Sequence, residues 1–386
     1  MKPIPAYISR IRKLMEESKI DILISADPKN VFYLSGFNSI LNSSPSLAIL
    51  DDTRVTLLVN VLRYERAKEK SWCDSISFYG SWGQYQSKYR DWSEALKEIV
   101  SQPNIKTVGI DKNSVPKDML NALENSSGLE IKDITWLLSY SRSVKSEEEI
   151  KNIKIASKIA DYGMNKAMEA AKERLGERAI SFAAVRAMNE YWISEFPDIE
   201  TSDFGDNQGA IINGLSAYCL NGPRILYNCD EPTNRQPKDE LVLIVVWSVA
   251  NGYHVELERT VAIGALTSEA KNVYNSLMEI RDGVFKLIKI GTKIMNIYEG
   301  ALKYYKETGF TDMVPGRIGH GIGLGIHESP FLSGNENAFL ERGSVFTFEP
   351  NLRIRNMGGA QHSDTIVMDE NGPNKLSQIP SGEIYI

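Results

Sequence analysis

Two of the four histidines of this 386-residue chain, His320 and His327, stand in one run, Gly319-His320-Gly321-Ile322-Gly323-Leu324-Gly325-Ile326-His327-Glu328-Ser329-Pro330. A glycine at every second position from 319 to 325 excludes a regular helix. It predicts unusual backbone dihedrals and a segment that a ligand can approach closely. Downstream, Phe346-Thr347-Phe348-Glu349-Pro350 is an apolar strand pattern that delivers one carboxylate and is stopped by proline. A third stretch, Tyr253-His254-Val255-Glu256-Leu257-Glu258-Arg259-Thr260, alternates like a strand. His254, Glu256 and Glu258 then share one face, with roughly 7 Å between neighbours. Imidazole and carboxylate converging from separate segments can hold a metal ion or move protons. Two carboxylates this close push at least one proton affinity upward, which suits a general acid/base pair. A solvated edge strand is the plainer alternative, and the apolar run 241–249 just before it argues against that. Arg259 is expected to pair with a carboxylate in the core, and His362, on the face opposite Gln361 and Ser363, to be structural.

Elements of two kinds must position these groups. Over residues 1–140, strand-like runs at 20–25, 46–50, 55–59 and 107–110 take turns with helical spacing at 62–70, 91–100 and 117–124. That alternation predicts an α/β domain. Ser146 followed by Glu149 is a capping box, and Ile150, Ile153, Ala156, Ile159 and Ala160 make one apolar helix face, so a long helix and a second domain, 141–386, begin here. Helices are expected at 147–172, 177–195, 267–289 and 295–308, and strands at 209–212, 241–249, 252–263, 344–348, 351–354 and 364–368. Grouped helices and grouped strands point to an α+β domain with antiparallel sheet.

Composition narrows the partners. Forty-four basic against fifty acidic residues give a net charge of −6 with no block of like charge, so nucleic acid is not an expected partner. Cys73, Cys219 and Cys229 are widely spaced and form no CxxC, which fits reduced thiols in a cytoplasmic protein. No segment reaches about 18 uninterrupted apolar residues, so no membrane association is expected.

The chain resembles the creatinase, aminopeptidase P, prolidase and methionine aminopeptidase superfamily (peptidase family M24). The resemblance rests on Asp27-Pro28-Lys29-Asn30-Val31-Phe32-Tyr33-Leu34-Ser35-Gly36-Phe37, the junction from Arg142 to Ile150, Gly222-Pro223-Arg224, the run Gly319 to Pro330, Thr347-Phe348-Glu349-Pro350 and Asp364-Thr365, all in the superfamily's order. It implies a pita-bread catalytic domain over 141–386 preceded by a smaller creatinase-type α/β domain over 1–140. In metal-dependent members two Asp, one His and two Glu hold two divalent ions. Carried over by position, these fall on Val245, Glu256, His320, Glu349 and Ser363. Valine cannot ligate and neutral serine is a poor ligand, whereas a cation pair needs several anionic oxygens. Glu258-Arg259-Thr260 is similar to the metal-independent creatinase branch, where prolidases carry Thr-Arg-Thr. The histidine of that branch falls here on Cys229 and its final glutamate on Ser363.

The expected chemistry is hydrolysis of a C–N bond in a small zwitterionic amide, guanidino or cyclic amidine compound. Glu258 is read as general base or nucleophile and Glu349 as its carboxylate partner, with His320 or His254 protonating the leaving nitrogen. His327, Glu256, Cys229 and Tyr253 are read as substrate-binding. No metal is expected; the alternative is a single weakly held divalent ion (Mn, Co or Zn) on Glu256, His320 and Glu349. Two other functions compete: a metal-dependent Xaa-Pro dipeptidase or aminopeptidase, and a pita-bread binding protein that has lost catalysis. The resemblance also implies a homodimer, with the aromatic stretch 78–89 as interface, pocket wall or domain core.

Overall fold

A computed structural model describes residues 4–112, 115–125, 128–205 and 209–386. The chain folds as two compact units, residues 1–142 with 203–212 and residues 143–202 with 213–386.

In the first unit a six-stranded mixed sheet runs in the order Ser75–Tyr79, Val55–Asn60, Leu47–Leu50, Ile22–Ser25, Thr107–Ile110, Glu130–Asp133. Its central strands are buried on both faces: Leu23, Ile24, Leu47, Leu57, Leu58 and Ile110 are inaccessible or nearly so, as continuous apolar runs require. Helices Trp92–Val100 and Lys117–Glu124 give Leu96, Val100, Met119 and Leu123 to this core. Helices Tyr7–Glu17, Pro28–Ser35 and Thr135–Ser143 and the strands Ser75–Tyr79 and Glu130–Asp133 add to the elements that hydropathy patterning picks out. Of the aromatic stretch 78–89, Phe78 packs against Tyr64 and Tyr85 while Trp82 is exposed.

The second unit begins at the capping box: Ser146 Oγ accepts from Glu149 N, and the Glu149 carboxylate accepts from Ser146 N. Helices Glu147–Lys172 and Glu177–Glu195 follow, at the bounds that the apolar spacing predicts. An antiparallel sheet joins Ser216–Asn221, Glu240–Ala250 and Tyr253–Ile263. A second sheet orders Glu328–Phe331, His320–Gly321, Val345–Phe348, Asp364–Asp369 and Gly372–Lys375, and Asn351–Ile354 pairs with Gly358–Gln361. This is an α+β arrangement with antiparallel sheets. The strand expected at 209–212 is absent: those residues are irregular and largely exposed, and the pairing strand is Ser216–Asn221. An apolar dipeptide at 211–212 mimics a strand locally but has no buried face to occupy.

Two features fix the sheets around the site. Glu258 and Ser363 exchange both backbone hydrogen bonds at 3.1 Å, stitching the Tyr253–Ile263 strand to the second sheet. Beside that stitch, Arg259 and Arg281 both donate to Asp364, at 2.6 and 2.5 Å, and all three are buried. Arg259 therefore has the core carboxylate that its place in an apolar strand demands. His362 is fully buried with Nε2 3.0 Å from the Thr260 carbonyl, a structural histidine. The glycines at 319 and 321 serve a different purpose from the one expected, since neither has positive φ. A Cβ at Gly319 would run into the Thr347 carbonyl and one at Gly321 into that of Ser329; they let neighbouring backbone in, not a ligand.

Candidate active site

Strand register delivers the acids. Glu256 lies opposite Trp247, and Glu258 lies opposite Val245 on one side and Ser363 on the other. Directly opposed residues of antiparallel strands project from the same face, and from that face Trp247, Glu256 and Glu258 line one cavity. Glu349 arrives at the end of Val345–Phe348, and His320 on the strand that pairs with it. Ligating oxygens of Glu256, Glu258 and Glu349 all lie within 4.8 Å of one another, as do single ligand atoms of Glu256, His320 and His327.

The cavity, about 750 Å³, is walled by these three acids, His327, Tyr218, Cys229, Trp247, Arg317, Arg353 and Gln361 among others. A larger depression in the first unit, about 1020 Å³ and lined by Arg12, Asp51 and Gln102 among others, has no histidine or cysteine on its described walls.

Both oxygens of Glu256 are acceptors, from Ser363 Oγ at 2.8 Å and from Trp247 Nε1 at 2.9 Å. His320 is fully buried, and its Nδ1 lies 3.0 Å from the Gly321 carbonyl. That contact assigns the proton to Nδ1 and leaves Nε2 as a bare lone pair. Nε2 has no hydrogen-bond partner among the described residues and points at Glu256 Oε2, 3.8 Å away, and Glu349 Oε1, 3.6 Å away. The His327 ring packs against it, centroid to centroid 4.3 Å.

Burial dominates the proton affinities. It pushes Glu258 up to about 8, with Glu256 adding to the rise and Arg353 opposing it. It carries Glu349 well above the usual carboxylate range, again with Glu256 and Glu258 adding. Burial lowers His320 below the usual imidazole value although Glu256 pulls the other way. Burial thus favours the protonated form of Glu258 and Glu349 and the neutral imidazole of His320.

Of the residues expected in the site, Glu256, Glu258, His320, His327, Glu349 and Cys229 are brought together; Cys229 Sγ is 3.7 Å from Tyr218 OH. Two are not. His254 shares the Glu256 face, but its Nδ1 is 2.9 Å from the Gly323 carbonyl and it stands outside both ligand clusters. Tyr253 projects from the opposite face, buried, its hydroxyl donating to Glu149 at 3.2 Å; strand alternation alone excludes it from the wall. Patterning did not find Trp247, Arg317, Arg353 and Gln361. Arg353 had a readable signal, since Asn351–Ile354 is a strand and a charged residue there sits two positions from Asn351 on the cavity face.

Residues 151–370 match the metallopeptidase family M24 model, and residues 8–144 match the creatinase/prolidase N-terminal domain. The chain belongs to metallopeptidase family M24. Within that family it is 28% identical over 371 residues to the Xaa-Pro dipeptidase of Pyrococcus furiosus, covering 96% of this chain and 97% of that protein. The solved prolidase from Pyrococcus furiosus superposes with a TM-score of 0.77 at 26% identity, covering 95% of this chain and 99% of that one. The N-terminal domain of FACT complex subunit SPT16 from chickpea shares the fold alone, with a TM-score of 0.75 at 16% identity over 97% of this chain and 95% of that one.

Family M24 implies divalent metal, and the five positions can be tested against it. Val245 is fully buried among apolar side chains, and the Ser363 hydroxyl is committed as a donor to Glu256. A pair of cations does not fit this donor set. One cation does: Glu256, His320 through its bare Nε2, and Glu349 offer oxygen and nitrogen donors that face one another. A lone pair aimed at carboxylate oxygens is repulsive until a proton or a cation lies between them.

Proposed function

We propose that this M24 hydrolase cleaves a C–N bond in a dipeptide or another small zwitterionic amide, by proton transfer among buried carboxyls and without a pair of metal ions. The observation that carries the reading is the convergence of Glu256, Glu258 and Glu349 on one cavity, with His320 buried behind Glu256 and Glu349. Glu258, which lines the cavity and ionises as pH rises through about 8, takes the proton of the attacking water. Glu349, protonated at neutral pH, donates to the leaving nitrogen. This replaces the expectation that His320 is the acid: an imidazole whose proton affinity is lowered, with Nδ1 committed to a carbonyl, has no Nε2 proton to give. Neutral His320 instead offers the Nε2 lone pair to the acids that face it, Glu256 and Glu349. Trp247 and Ser363 hold Glu256 against the cluster, and His327 and Arg317 stand at the mouth for substrate polar groups.

A second reading, a one-ion Xaa-Pro dipeptidase, draws on the bare Nε2 of His320 facing two carboxyl oxygens and on the name of the Pyrococcus relative. An ion on Glu256, His320 and Glu349 supplies Lewis-acid polarisation of the substrate carbonyl when bound. Assays of chelated protein on Xaa-Pro dipeptides, amino-acid amides and guanidino compounds, with and without added Mn²⁺, separate the two. Turnover in chelator that disappears in Glu258→Gln is expected; activity that appears only with Mn²⁺ decides for the second reading.

A further inference from the structure

We infer that Glu258, backed by Gln361 and Arg353, takes the place in the cavity that a second cation would need, so that the pocket admits at most one divalent ion. The loss of ligands at two positions and the presence of an acid at a third are then one exchange. The register shows why. Val245 and Ser363, the two positions that offer no metal-binding group, are the direct cross-strand neighbours of Glu258 on either side. Opposed side chains on one face lie about 5 Å apart at Cβ, so the Glu258 carboxyl projects into the gap between them. One of its oxygens, Oε2, is buried with no hydrogen-bond partner among the described residues, and it lies within the 4.8 Å cluster with Glu256 and Glu349.

Behind that carboxyl stands a fixed positive charge. The Arg353 guanidinium donates to the Ile225 carbonyl at 2.7 Å, to Asn228 Oδ1 at 3.1 Å and to Gln361 Oε1, and Arg353 and Gln361 line the cavity together with Glu258. A guanidinium anchored by three acceptors cannot swing away. It supplies one unit of the charge that a metal would bring, and it repels a cation placed beside it. Val245, paired with Glu258 across the strands and buried in the apolar core, offers no side-chain oxygen. The inference deepens the proposed function by stating what the pocket can hold, but its readout is ion stoichiometry and not turnover, so either can fail alone.

The test is Mn²⁺ binding to the full chain by equilibrium dialysis, with electron paramagnetic resonance to detect a close pair. Wild type is expected to bind no more than one ion, without exchange coupling. The variant V245D/E258T/S363E, with folding checked by circular dichroism, is expected to bind two ions and to show the coupling of ions about 4 Å apart. A coupled pair in wild type, or a folded variant that does not bind two ions, overturns the inference. Should the variant fail to fold, anomalous diffraction from wild-type crystals soaked in Mn²⁺ gives the answer. A peak between positions 245 and 363 overturns the inference; a peak confined to the Glu256–His320–Glu349 side, or none, supports it.

Discussion

Replacing Asp364 by alanine removes the carboxylate that Arg259 and Arg281 share. Arg259 is fully buried, Arg281 is 3% exposed and Asp364 1%, so the variant leaves two guanidiniums in the core without the carboxylate that both hydrogen-bond. Breaking a buried pair in this way costs about 3–5 kcal/mol. For a unit of this size that corresponds to a fall in Tm of roughly 6–20 °C. The same carboxyl makes a linked prediction. Burial alone would raise its proton affinity, but Arg259 and Arg281 hold it at about 2, against a usual 3.8. Between those values the unfolded chain binds more protons than the native one, so stability falls as pH drops. The contribution, about 2 kcal/mol, is complete above pH 4 and lost progressively towards pH 2. Thermal melts of wild type and Asp364→Ala at pH 7, followed by wild-type melts across the acid range, measure both effects. A control in which Arg259, Arg281 and Asp364 are all made apolar is expected to lose far less, because no charge is stranded. A change in Tm below about 2 °C for Asp364→Ala would refute the reasoning, since it would mean that the triad does not anchor the strands carrying Glu256 and Glu258.

Other expectations follow from the same geometry. Glu258→Gln is expected to reduce kcat/KM by a hundredfold or more, on the order of a lost general base, with the melting curve intact; a loss confined to KM would contradict that role. In chelator the rising limb of the pH profile should centre near the Glu258 value of about 8 and vanish in Glu258→Gln; a limb that survives there assigns it to another group. Ser363→Ala removes one of the two donors to Glu256, a loss of about 1 kcal/mol or roughly fivefold in kcat/KM, and an unchanged rate would show that Trp247 alone orients the acid. Tyr253→Phe should leave turnover unaltered while lowering stability by about 1 kcal/mol through the lost bond to Glu149; a kinetic defect would return Tyr253 to the cavity.

The helices of the second unit were legible because their signals are local: a capping box at Ser146 and an apolar face of period 3.6. The acids were legible because strand alternation is equally local, which put Glu256 and Glu258 on one face and Arg259 in the core. Apart from Tyr253, the misreadings come from non-local facts. Side-chain direction told against Tyr253, but His254 shares the Glu256 face and is separated only by where the Gly323 loop lies. Glycines at 319 and 321 read as ligand-approach positions, yet the neighbours they admit are carbonyls of residues 347 and 329. Protonation of His320 depends on a contact with its own following residue, and the value of Arg353 on a turn at 225–228. None of these can be read from spacing along the chain.

The most direct test of the central claim is single-turnover hydrolysis of a panel of dipeptides and small amides by metal-stripped protein, with Glu258→Gln and Glu349→Gln alongside. The account predicts C–N cleavage by the stripped wild type, abolished in both variants. Cleavage that requires two bound ions per chain, or that survives both substitutions, would contradict it.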